Sequence, residues 1–233
     1  MSHMDRTSTT VAGLFIGRAE RIWPDRPPSA IRKVRADGPM DLTITGFTGD
    51  EQADLRVHGG PEKAVMQYPL QHYAVWKDEM GASEPGLRAG GFGENISAAG
   101  FDEQTVCIGD RFRIGTAFVQ VTQGRTPCWK LNRHTGIARM AAEFVRTGRT
   151  GWYYRVLEPG WVGQGDTISL VERHNPDWTV ARVTNARLTS RLDTALAREI
   201  VSIPGLSENW QRSFGRKADA GYRDDPEAAW RDG

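Results

Sequence analysis

The stretch Gln123-Gly124-Arg125-Thr126-Pro127-Cys128-Trp129-Lys130-Leu131-Asn132 is the most informative part of this chain of 233 residues. Pro127 interrupts regular secondary structure immediately before the thiol, so the sequence predicts a loop at Cys128. Arg125 and Lys130 place positive charge on both sides of it, and nearby cations favour the thiolate, the form of cysteine that reacts and binds metals. The alternative is a buried cysteine that acts as a small hydrophobic residue.

The composition predicts one large soluble domain, or a large domain with a small one. Hydrophobic residues make up 39% and charged residues 25% of the chain, which indicates a folded core rather than disorder. The formal net charge is +1, which argues against a strongly basic nucleic-acid-binding surface. No apolar run near the N-terminus is long enough for a signal peptide or a membrane span, so a cytoplasmic location is expected.

The two cysteines, Cys107 and Cys128, are interpreted differently. Their spacing matches neither a zinc-ligand pattern nor a redox Cys-x-x-Cys pair. A disulfide framework is not expected, which favours a reducing compartment. Cys107 lies between Val106 and Ile108 in a predicted strand and is interpreted as structural, so Cys128 is the candidate functional thiol.

Short predicted strands dominate residues 11–172 and indicate a mostly β protein with some α-helix and a barrel-like sheet. A polar stretch with Pro176 then predicts a linker. Thr179, Asp193 and Ser207 begin three helical patterns, each with a residue type that favours a helix N-terminus. The predicted boundaries are 5–172 for the β-barrel core, 179–217 for a three-helix C-terminal domain and 218–233 for a tail.

Two glycine-containing segments accompany the cysteine. In His58-Gly59-Gly60, paired glycines allow backbone N–H groups to turn toward an anion, and the histidine can donate to a phosphate or transfer a proton; the alternative is a simple turn with a surface histidine. Phe92-Gly93-Glu94-Asn95 allows a ligand to approach closely, and a carboxylate pairs well with a planar edge that carries adjacent N–H donors. The spacing is not that of a dinucleotide-binding G-x-G-x-x-G loop.

These segments, in this order, resemble the MOSC domain family (the molybdenum-cofactor sulfurase C-terminal type), and most closely its YiiM-like branch with a C-terminal three-helix domain. The segments that carry the resemblance are Gly49-Asp50-Glu51-Gln52, His58-Gly59-Gly60, Phe92-Gly93-Glu94-Asn95, Gly109-Asp110 and Thr126-Pro127-Cys128-Trp129-Lys130-Leu131-Asn132. It implies a MOSC-type β-barrel core that binds the molybdenum cofactor (molybdopterin), with Cys128 as the metal ligand. The residues that inherit cofactor-binding roles are His58, Gly59, Gly60, Glu94, Asn95, Arg125 and Asn132.

The resemblance also implies an enzyme, a molybdenum-dependent oxidoreductase that detoxifies N-hydroxylated compounds such as N-hydroxylated purine base analogues. Reduction of N–OH to N–H and water requires two electrons and two protons. Cys128 and His58 are the predicted catalytic residues, while His58, Asp50 and Glu94 remain open as proton relays. A separate redox protein must donate the electrons, because the sequence has no flavin or iron–sulfur pattern. The oligomeric state is left open, with a dimer as one option.

Three rival interpretations remain. Cys128 carries a persulfide and delivers sulfur, or the chain is a non-catalytic cofactor-binding module whose three helices form an interaction surface. The third is a cysteine hydrolase that uses Cys128 and His58, for which no clear orienting residue is present. Deletion from about residue 172 onward is expected to leave a folded core, unless Trp210 and Phe214 pack onto that core.

Overall fold

The computed structural model describes residues 7–53, 59–81, 86–219, 222–223 and 225. The strands are β1 (Ser8–Thr10), β2 (Gly13–Ile16), β3 (Val34–Arg35), β4 (Met40–Thr43), β5 (Gly46–Phe47), β6 (Val65–Pro69), β7 (Ile96–Ala98), β8 (Arg111–Ile114), β9 (Ala117–Gly124), β10 (Trp152–Glu158), β11 (Gly160–Val162) and β12 (Thr167–Glu172). The helices are α1 (Gln71–Met80), α2 (Trp129–Thr135), α3 (Met140–Thr147), α4 (Val180–Leu188), α5 (Thr194–Val201) and α6 (Glu208–Lys217). None of the helices within these ranges is both long and apolar enough to cross a membrane.

Nine strands form one large sheet in the order β1-β12-β8-β9-β10-β6-β7-β2-β3. Its neighbouring strands are antiparallel, except that β6 and β7 are parallel. A smaller sheet has the order β11-β4-β5. The edge strands β1 and β3 do not pair with each other within the described ranges, so the large sheet is open and the predicted barrel-like sheet is not confirmed.

The predicted C-terminal helices form with the predicted N-caps. The side chains of Thr179, Asp193 and Ser207 each accept a hydrogen bond from the backbone N–H three residues later. Such a bond satisfies one of the N–H groups that a helix N-terminus leaves unpaired. The sequence signals at these positions are therefore local ones, which explains why they could be read without knowledge of the tertiary structure.

The C-terminal helices share the main hydrophobic core with the large sheet. Val180 and Trp210 belong to the same buried cluster as strand residues such as Val121. Backbone hydrogen bonds also join the two parts, for example the N–H of Val180 to the carbonyl of Val106 at 2.8 Å. These contacts favour the alternative in which the helices stabilise the core, and the separation into domains at 172 and 179 stays a prediction.

A second, aromatic cluster supports the glycine loop. Phe92 is fully buried, stacks on Tyr73 with 4.9 Å between ring centroids and meets Phe144 edge-on at 4.9 Å. Gly91 lies so close to neighbouring backbone that an added Cβ would come within 1.9 Å of the carbonyl oxygen of Gly86. Packing on these rings therefore fixes the loop that precedes β7.

Candidate active site

A solvent-open cleft with a cavity volume of about 90 Å³ lies where the Cys128 segment, the glycine loop and the segment around Asp50 meet. Its polar and charged lining residues are Ser29, Lys33, Asp50, Glu51, Gln52, Lys63, Asn95, Arg125, Thr126, Cys128, Lys130 and Tyr153. Its apolar lining includes Ile31, Met66 and Phe92. The fold thus brings three sequence segments that are far apart in the chain to one place.

Cys128 lies between a strand and a helix. The strand β9 ends at Gly124, four extended or irregular residues follow, and α2 begins at Trp129 with Cys128 as its N-cap residue. The predicted loop is correct at the thiol itself, but the helix directly after it was missed. Its seven residues bury only Leu131 and Thr135, which is too short a pattern to signal a helix. The thiol is half-buried and belongs to the cleft wall.

Arg125 links the cysteine segment to the glycine loop. Its Nη1 donates a hydrogen bond of 2.6 Å to the carbonyl oxygen of Phe92 and lies 3.5 Å from the sulfur of Met66. Its guanidinium also lies 5.9 Å from the centre of the Phe144 ring. The residue is only 7% exposed, so this cleft cation also holds the two segments together.

Asn95 has its side chain fixed on both sides. Its Oδ1 accepts a hydrogen bond from the N–H of Met66 at 3.1 Å. Its Nδ2 donates to the carbonyl of Phe15 at 3.1 Å and to Oδ2 of Asp50 at 2.8 Å. The amide therefore joins the glycine loop to the Asp50 segment, and its orientation at the cleft is set by the fold.

Lys33 and Asp50 form an ion pair in the cleft wall. Their side chains are only 6% and 2% exposed. Oδ1 of Asp50 accepts a hydrogen bond from the Lys33 ammonium and another, of 2.7 Å, from the N–H of Gly17. Burial lowers the pKa of Lys33, and the Asp50 carboxylate opposes that shift. The pair places an ammonium with a weakened hold on its proton beside the cleft.

Glu94 does not line the cleft. Its fully buried carboxylate accepts hydrogen bonds of 2.6 to 3.1 Å from four donors, which are the Tyr73 hydroxyl, the Ser97 hydroxyl and the N–H groups of Gly90 and Phe92. Such an arrangement stabilises the turn of the glycine loop from inside. The cofactor-binding role of Glu94 stays a prediction, and the geometry gives it a structural one.

The remaining predicted site residues lie away from the cleft wall or outside the described residues. Gly60, with φ +92°, precedes a 3-10 helix at Pro61–Lys63, and neither Gly59 nor Gly60 lines the cleft. Asn132 accepts a hydrogen bond of 2.7 Å from the N–H of Ala141 and so joins α2 to α3. His58 lies outside the described residues. The roles carried over to these four residues stay predictions.

Among the ionisable residues that line the cleft, sequence reasoning missed Lys33, Lys63 and Tyr153. Lys33 lies two residues after Ile31, and an extended chain places such residues on one face, so the alternation of this segment was a usable signal. Burial raises the pKa of Tyr153, and the nearby positive charge of Arg125 opposes that rise. No local signal marks Tyr153, because only the sheet register turns it toward the cleft.

The rim beside Cys128 is braced by a loop from the N-terminal part. The rings of Trp23 and Trp129 lie 5.2 Å apart, and the guanidinium of Arg26 lies 5.0 Å from the Trp129 ring. Arg133 adds a two-pronged ion pair to Asp25 at 2.9 and 3.0 Å. The first turn of α2 is therefore held from outside as well as by the core.

Within the described residues the cleft offers a thiol, and no group of three His, Cys, Asp or Glu side chains there is arranged to hold a metal ion. A soft thiolate ligand suits soft or redox-active metals.

Comparisons with known proteins agree with this architecture. The chain is 39% identical over 203 residues to the protein YiiM of Escherichia coli. The matched stretch covers 87% of this chain and 90% of that protein. The crystal structure of Escherichia coli YiiM superposes with a TM-score of 0.81 and covers 97% of this chain and 99% of that one, at 31% identity. A protein of Gibberella moniliformis named a reductase is 38% identical over 211 residues, which is 88% of this chain and 37% of that protein.

Two family patterns also match. The MOSC domain matches residues 54–169, and the YiiM-like 3-alpha helix domain matches residues 178–219. The second range contains α4, α5 and α6. The chain therefore belongs to the MOSC domain family, and it carries the three-helix segment of the YiiM-like proteins at its C-terminal side.

Proposed function

We propose that this protein is a molybdenum-cofactor-dependent reductase of N-hydroxylated compounds, such as N-hydroxylated purine base analogues, with Cys128 as the molybdenum ligand. The observation that carries the proposal is the position of that thiol, half-buried in the wall of a cleft in a chain of the MOSC family. The likeness to a protein named a reductase supports the oxidoreductase class.

The cleft residues fit a pterin cofactor that carries a phosphate. Lys63, Arg125 and Lys130 bring positive charge to the cleft lining, which suits a phosphate group. When bound, the molybdenum cofactor supplies a two-electron redox centre. The chain would contribute one soft ligand through Cys128.

The substrate would lie against the mixed wall of the same cleft. Phe92, Met66 and Ile31 offer apolar surface for a purine-like ring, while Oδ1 of Asn95 offers a fixed acceptor at the edge. Such a combination of an apolar wall with a few fixed polar groups is typical of small-molecule sites. The chain's role is to bind the planar compound with its N–OH group directed at the Cys128 side.

The electrons would come from a separate redox protein, and detoxification of N-hydroxylated bases in the cytoplasm is the physiological setting of the proposal. Neither nucleic acid nor a membrane has a part in it. The reaction consumes two electrons and two protons for each N–OH group and releases one water molecule.

The test is turnover by protein produced in a host that makes the cofactor. The molybdenum-containing protein is mixed with an N-hydroxylated purine base and a reduced viologen as electron donor, and the amino product is quantified against metal-free protein from a cofactor-deficient host. The expected result is one amine formed for two electrons consumed. A persulfide on Cys128 without molybdenum would instead identify a sulfur carrier, and molybdenum without turnover would identify a binding module.

A further inference from the structure

The reduction of an N–OH group needs a proton for the oxygen that leaves, and the two carboxylates proposed from sequence are poor sources of it. Asp50 accepts hydrogen bonds from the Gly17 N–H, the Lys33 ammonium and the Asn95 amide. Glu94 accepts four donors and does not reach the cleft wall. The oxygens of both carboxylates are therefore already occupied by donors of the fold.

Lys33 is a buried ammonium that lines the cleft and is paired with one of these carboxylates. Its side chain is 6% exposed and lines the same cleft as Cys128. The Asp50 carboxylate holds its ammonium, and Asp50 is itself fixed by the hydrogen bonds from Gly17 and Asn95. Because the Gly17 N–H and the Asn95 amide fix Asp50, the carboxylate in turn fixes the position of the Lys33 ammonium.

We propose that Lys33 donates the proton that converts the departing hydroxyl group to water. This inference rests on the proposed function. In R–NH–OH + 2e⁻ + 2H⁺ → R–NH₂ + H₂O, the N–O bond breaks, the Lys33 ammonium gives its proton to the oxygen, and the nitrogen takes the second proton from solvent. An external reductant, a redox protein in the cell or a reduced viologen in the assay, supplies both electrons. The neutral Lys33 amine regains its proton from solvent.

The other ionisable groups of the cleft are less suited to this step. Burial raises the pKa of Tyr153, so its hydroxyl holds its proton more tightly, whereas burial lowers the pKa of Lys33. Glu51 is exposed and accepts the N–H of Ala19 at 2.8 Å. Lys63, Arg125 and Lys130 are assigned above to the phosphate of the cofactor, and Cys128 is assigned to the metal.

The first test compares Lys33→Met and Lys33→Arg with the parent and with Lys77→Met, a control on the exposed face of α1. Arginine keeps the charge beside Asp50 but does not release a proton near neutral pH. Both Lys33 variants should lose roughly 100-fold in kcat, with the molybdenum content of Lys33→Arg equal to that of the parent. The alkaline fall of the parent's kcat should begin below pH 10, the range of an ordinary lysine, and should be absent from the residual activity of both variants.

The second test needs neither cofactor nor turnover. The side-chain ¹⁵N and ¹³C signals of the lysines are followed against pH in metal-free parent protein, and the signal that disappears in Lys33→Arg is assigned to Lys33. It should titrate below the range of an ordinary lysine.

The outcomes separate the two claims. If the molybdenum-containing parent reduces no N-hydroxylated compound, the proposed function is wrong and the role of Lys33 falls with it. If the parent is active and Lys33→Arg retains its kcat and alkaline limb, or if Lys33 titrates in the range of an ordinary lysine, the proposed function stands and the assignment of Lys33 is wrong.

Discussion

The guanidinium of Arg125 donates a hydrogen bond of 2.6 Å to the carbonyl oxygen of Phe92, and this bond joins the segment that carries Cys128 to the glycine loop. Phe92 lies fully buried among aromatic rings, so the acceptor is rigid. The position of the thiol relative to the rest of the cleft therefore depends on an arginine that the fold also needs.

Arg125→Ala should lower the free energy of unfolding by about 2 kcal/mol, because the buried Phe92 carbonyl loses a charged donor. Urea denaturation of the metal-free protein measures this, with Arg198→Ala on the exposed surface of α5 as the matched control. The same variant should retain less cofactor. An unfolding curve equal to that of the parent would mean that Arg125 serves the ligand alone.

Glu94→Gln should destabilise the fold by about 2 kcal/mol or more. The N–H₂ group of the new amide would face hydrogen-bond donors that the carboxylate oxygens now pair with. The control is Glu199→Gln, an exposed residue of α5. Thermal unfolding of the metal-free proteins distinguishes the two. If Glu94→Gln loses cofactor without any loss of stability, the role implied by the family resemblance is correct and the structural one is not.

The C-terminal helices should be required for folding. A chain that ends at Glu172 would expose the sheet residues now covered by Val180 and Trp210, and we expect it to be insoluble or unfolded. The polar linker had suggested the opposite, that such a truncation leaves a folded core. A soluble fragment with a cooperative unfolding transition would show that the core does fold without the helices.

A milder change tests the same contact in the full chain. A Cβ at Gly124 on β9 would come within 1.9 Å of the Thr184 hydroxyl on α4, so Gly124→Ala should cost about 1 to 3 kcal/mol by overpacking. Gly215→Ala in α6 meets no atom within 4 Å and should raise stability by about 0.5 to 1 kcal/mol. Equal unfolding midpoints for the two variants would contradict the packing of α4 on the sheet.

Acid should destabilise the protein partly through His134. Burial, together with the charges of Arg32, Arg125 and Arg88, lowers the pKa of His134 to about 4. The unfolded chain binds this proton near pH 6.5 and the folded chain only near pH 4, so stability falls as the pH is lowered through that window. His134→Gln should remove about 1 to 3 kcal/mol of that fall. Parallel stability curves for variant and parent between pH 7 and 4.5 would refute the shift.

Much of the fold was predictable because its signals are local. Pro69 ends β6, Gly81 closes α1 and Gly148 closes α3, as their backbone preferences indicate. The first strand expected between Thr105 and Val121 is wrong, since residues 105–110 form turns and Cys107 makes only an isolated bridge to Thr179. Whether the large sheet closes or stays open was not predictable, because closure depends on pairing between edge strands that are distant in sequence.

The position of the thiol in the candidate site was predictable from the sequence, whereas the roles of several neighbouring residues were not. Cys128, Arg125 and Asn95 do line one cleft, whereas Glu94 turns inward to the glycine loop and Asn132 to α3. A polar residue beside glycines can brace the loop or face a ligand, and only the tertiary structure decides between these roles. The alternation around Lys33 was a usable signal for its face, but its pairing with Asp50, seventeen residues away, depends on the tertiary structure.

The molybdenum content of purified protein tests the central claim most directly. Parent protein, Cys128→Ser and Cys107→Ser are produced in a cofactor-competent host, and metal per chain is measured by elemental analysis beside the unfolding midpoint of each. Cys107 is buried, and burial raises the pKa of its thiol to about 11, which keeps it a neutral structural residue. The account predicts close to one molybdenum per chain in the parent and in Cys107→Ser, and almost none in a folded Cys128→Ser. Molybdenum retained at the parent's level by Cys128→Ser would contradict it.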